Sequence, residues 1–128
     1  MKTFLILLSV ILLNFNDSEK NVQTEPLYYY VMSFDTYNKW YFSQILKFNC
    51  DRNSRRYNQK DDIKIDIQSQ FLDHLRTIES RGYYPFRFVK FFKTKGAANI
   101  ARRKEMGTLR DPKITVVEDF TFQFYCVE

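Results

Sequence analysis

The sequence predicts an α+β domain: a small antiparallel sheet of about four strands, with one main helix packed on a face and one disulfide, Cys50–Cys126. Three observations carry this. Segments 27–34, 40–50, 83–93 and 114–127 are rich in aromatic and β-branched residues or alternate apolar with polar ones. Segment 66–81 has a helical period instead. The two cysteines each fall on the apolar face of an alternating segment, near its end.

Residues 1–18 read as a secretory signal peptide. Lys2 gives a positive start, Phe4 to Leu13 is an apolar run broken only by Ser9, and Asn14, Asn16, Asp17 and Ser18 are polar. The run is too short to span a membrane as a helix. Cleavage after Ser18 would start the mature chain at Glu19 and leave one domain, 27–128, behind a loose polar arm, 19–26, that ends in Pro26.

The elements follow in order. Leu27 to Phe34 (LYYYVMSF) is a strand by propensity, and Asp35 to Lys39 is a polar turn. From Trp40 to Cys50 the even positions are Trp40, Phe42, Gln44, Leu46, Phe48 and Cys50, which predicts a strand with one buried face. Asp51 to Asp62 is a polar loop. Asp66 to Arg81 is the main helix: Ile67, Phe71, Leu72, Leu75 and Ile78 share a face, Asp66 is the expected N-cap, and Gly82 sits where a C′ residue belongs. Tyr83 to Lys93 is extended, and Pro85 near its start suits an edge strand. Residues 94–107 form either a short helix or a basic loop, and Asp111-Pro112 marks a turn. Ile114 to Val127 alternates most clearly and predicts a strand, with a bulge at Glu118-Asp119.

Composition narrows the function. Aromatics make up 18% of the chain while Gly and Pro number only 3 each, so the chain has a large aromatic core and is not a disordered tract. Outside the cytosol the 2 cysteines pair. The net charge of +5 is concentrated: Lys90 to Lys113 holds eight basic residues against Glu105 and Asp111. Lys95, Arg102, Arg103, Lys104 and Arg110 are the expected binding patch within it, and its partner is a protein or an extracellular polyanion. A solvated charged face is the plainer explanation of the same residues.

Catalytic chemistry finds little support. His74 is the only histidine; it needs a carboxylate such as Glu118 or Asp119 to act as an acid–base group, and Arg102, Arg103 or Lys104 to hold a phosphate. A boundary residue on a helix is the far commoner explanation. No Gly-x-Ser-x-Gly turn is present, and one His with two paired cysteines supplies no zinc ligand set. Asp51, Asp61 and Asp62 lack the spacing of a calcium loop. No catalytic residue, metal or cofactor is assigned. The tyrosines Tyr28 to Tyr30 and the run Phe86-Arg87-Phe88 read as core ahead of a binding surface. The sequence thus favours a small secreted binding protein of the effector, salivary or venom type. A small secreted hydrolase such as a ribonuclease is the alternative, and a secreted protease inhibitor a third.

Overall fold

The computed structural model describes residues 25–79 and 82–127. The expected leader 1–18 and most of the arm lie outside them. Seven elements follow one another: β1 (Tyr28–Phe34), β2 (Lys39–Ser43), β3 (Leu46–Lys47), α1 (Lys60–Ile78), β4 (Phe86–Phe92), α2 (Lys95–Gly107) and β5 (Thr115–Asp119). All five strands join one sheet. β1 is central, with β4 on one side and β2 and β3 on the other, and β5 lies beyond β2. The α+β architecture matches the sequence prediction. The sheet is mixed, because β5 runs parallel to β2 while the other pairs are antiparallel.

The β1–β2 turn follows from its residues. The Asp35 carboxylate accepts from the backbone N–H of Tyr37 (2.8 Å) and of Lys39 (3.0 Å). Asn38 takes φ 59°, a left-handed conformation that Asn tolerates better than most residues.

The second alternating segment does not keep one face. Met32 pairs with Phe42, but Tyr29 pairs with Leu46, so one extra residue enters between them. That is a β-bulge, and it turns the chain over. Trp40 and Phe42 face one side of the sheet, whereas Phe48 and Cys50 join the core on the other. The Ser43 hydroxyl replaces the lost ladder partner by accepting from Val31 N–H at 2.8 Å.

Both sheet faces are covered by helices. On one, α1 buries Ile63, Ile67, Phe71 and Leu75 against Tyr29, Val31, Tyr41 and Val89. On the other, α2 sets Ala101 and Met106 against Tyr30, Met32 and Phe42. Residues 94–107, open between helix and loop in the sequence, are thus a helix, capped by the Thr94 hydroxyl accepting from Ala97 N–H at 3.1 Å.

Three boundaries differ from expectation. α1 starts at Lys60, inside the expected polar loop, because Ile63 extends the buried stripe by one turn and Asp61 and Asp62 favour the helix start. Asp66 is therefore no cap; it takes a two-pronged pair from Arg56 at 2.6 and 2.9 Å. α1 ends at Ile78, so Gly82 is not its C′ residue. Gly82 serves a close approach instead: a Cβ there would meet the Tyr84 ring and hydroxyl, the latter at 2.2 Å. Finally, β5 stops at Asp119, and the tail beyond it is held without a ladder. Phe122 packs edge-on to Phe71, Gln70 bonds both backbone groups of Tyr125, and Cys126 is bonded to Cys50. The expected disulfide is present.

Candidate functional site

The sheet face under α2 is incompletely covered. Register places Phe86, Phe34, Trp40 and Val116 in one row across β4, β1, β2 and β5. The next row is Phe88, Met32, Phe42 and Glu118. Lys90 follows opposite Tyr30. Met32, Phe42 and Tyr30 are buried, but Phe86 is 51% exposed and Phe88 41%. The first row is an aromatic stack: Phe34 lies 4.4 Å from Trp40 and 4.8 Å from Phe86, ring centre to ring centre. Such stacking exceeds simple area burial in stability, so the row is held in place even where it is open.

A shallow depression of about 330 Å³ lies farther along this face, at the Lys90–Tyr30 pair, and is lined by Tyr30, Lys90, Lys104, Glu105 and Thr108. Glu105 accepts from the Tyr30 hydroxyl at 2.5 Å and from Lys90 Nζ at 3.1 Å. Burial, then the bond to Glu105, pushes the Tyr30 hydroxyl above the usual tyrosine range. Lys104 is exposed at the rim.

The expected basic patch divides. Lys95, Arg103, Lys104 and Arg110 are exposed. Arg102 is not part of that surface: it is 6% exposed, one turn after Ala98 on the face of α2 that meets the sheet. Its Nε donates to the Ser43 carbonyl at 2.7 Å and its Nη1 to Glu118 at 2.9 Å. Arg102 ties the helix to the bulge and to β5, a structural role the charge pattern could not reveal.

Comparison with protein-family models, with curated proteins and with solved structures finds no match to this chain.

His74 meets Asp119, one of the two carboxylates considered for it. The ring packs beside Phe71 and Phe122, and its Nε2 faces the Asp119 carboxylate. Asp119 also accepts from the Thr121 hydroxyl (2.6 Å) and backbone N–H (2.7 Å). Burial raises the Asp119 carboxyl, but the Thr121 bonds and His74 outweigh it and hold it below the usual range. This cluster joins α1 to the end of β5. It lies on the α1 side of the sheet, whereas Arg103 and Lys104 ride on α2 across the sheet, so the grouping a ribonuclease needs is not assembled.

Asp119→Asn is expected to destabilise the fold by about 2 kcal/mol at neutral pH, the scale of hydrogen bonds to a charged group. Because the folded carboxyl is depressed, its contribution is present above the ordinary carboxylate range and is lost as pH falls through the folded value. Urea midpoints from neutral to acidic pH should converge for the two proteins. Equal stability at neutral pH would remove Asp119 from this role.

Proposed function

We propose that this is a small secreted, non-enzymatic protein that binds an extracellular polyanion through the α2 side of its sheet. One observation carries the reading: the exposed Phe86 and Phe88 share a face of β4 with Lys90, which lines one depression with Lys104, on the segment where the positive charge is concentrated. Aromatic and basic side chains together form contacts that charge alone does not. Secretion is supported by the leader-like residues 1–18, and the disulfide is compatible with it.

The test is retention on immobilised heparin over a salt gradient. Arg103→Gln with Lys104→Gln is expected to elute at lower salt with unchanged stability, because both side chains are exposed. Arg102→Gln should instead lower stability, since it unpairs Glu118 and the Ser43 carbonyl. A wild-type protein that passes through at low salt would refute polyanion binding.

A further inference from the structure

We infer that the polyanion is a single-stranded nucleic acid, with bases stacking on Phe86 and Phe88 and phosphates meeting Lys90 and Lys104. This rests on the polyanion reading and narrows it. Phe86 closes the aromatic row at the free edge of the sheet, since β4 pairs with β1 alone among the described strands. Phe88 follows two residues on, so the two rings rise from the same strand face about 7 Å apart. That is about twice the 3.4 Å step between stacked bases, which suits an extended strand with one base to each ring.

The charges are placed for the backbone of such a strand. Lys90 is the next residue on the same face of β4, and Lys104 flanks the depression beside it. Glu105 is the one acid lining that depression, and its carboxylate is already engaged by the Tyr30 hydroxyl and Lys90. A duplex hides its base faces and would engage only the lysines. A sulfated glycan offers charge without aromatic bases. Exposed rings and lysines on one sheet face match the ligand that presents both π-faces and phosphates.

Trp40 is the only tryptophan and belongs to the row, so it reports on the site directly. The experiment titrates the oxidised protein with a twelve-nucleotide oligo(dT), and separately with heparin, following Trp40 fluorescence and, by anisotropy, binding of the labelled polymers. Oligo(dT) is expected to quench Trp40, and Phe86→Ser with Phe88→Ser to weaken oligo(dT) binding at least tenfold while leaving heparin binding nearly unchanged. Lys90→Gln with Lys104→Gln should weaken both polymers and flatten the salt dependence for each. Phe88→Ser alone provides a milder variant, with circular dichroism to check folding. Oligo(dT) binding that neither quenches Trp40 nor responds to Phe86 and Phe88 would overturn the inference. So would heparin binding without oligo(dT) binding, which would leave the polyanion reading standing. Failure to bind either would end both.

Discussion

Replacing Cys50 and Cys126 by Ala is expected to cost about 4.5 kcal/mol, the chain-entropy value for closing a loop between residues 76 apart. That is a large share of the stability of a small domain. The structural reason is the tail. Beyond Asp119 the chain leaves the ladder, yet Phe122 is buried against Phe71 and Phe124 packs on Phe48 and Tyr57. Without the bond, the tail keeps those contacts and a few hydrogen bonds, including Val127 N–H to the Tyr57 hydroxyl at 2.8 Å. Urea unfolding of oxidised protein against the Ala pair measures the loss. A difference under about 1 kcal/mol would show that packing alone holds the tail, well below the chain-entropy expectation.

Alkaline pH is expected to unfold the protein over a narrow range. The hydroxyls of Tyr29, Tyr30 and Tyr41 are all raised above the usual tyrosine value, chiefly by burial. Bonds to Glu105 and Glu79 add to the shift for Tyr30 and Tyr41. The unfolded chain ionises near pH 10, whereas these side chains stay neutral in the fold. Stability is thus full below about pH 10 and falls as pH rises, by about 1.4 kcal/mol per pH unit for each residue and about 4 for the three. Tyrosinate absorbance should show a late, cooperative phase that coincides with loss of secondary structure. Tyr29→Phe should remove about a third of that slope. Smooth titration of all 9 tyrosines with the fold intact would contradict the burial argument.

β1 and β4 were legible from residue type, whereas the clearest alternation, 114–127, stays in the ladder only over Thr115–Asp119. LYYYVMSF and FRFVKFF are too aromatic and β-branched to be anything else, and the 3.6-residue repeat of Ile67, Phe71 and Leu75 could only be a helix. The bulge was not legible, because an alternating string looks the same whether or not one residue is inserted. Asp66 looked like a cap because a cap residue is recognised by type, while its partner, Arg56, is fixed by the loop before the helix. Phe34 and Trp40 pair across the β1–β2 turn. Their stack with Phe86 required β4 to return beside β1.

By itself, the sequence determined the α+β class, the pairing of its only two cysteines and the concentration of charge between Lys90 and Lys113, since these depend on local pattern and count. Tertiary structure decided which charges are free. Arg102 and Arg103 are adjacent in the chain and alike in chemistry, but the turn of α2 buries one against Glu118 and leaves the other in solvent. The same holds for Phe86 and Phe92, whose exposure depends on how far α2 reaches along the sheet. Such differences come from contacts between distant segments, which no local pattern encodes.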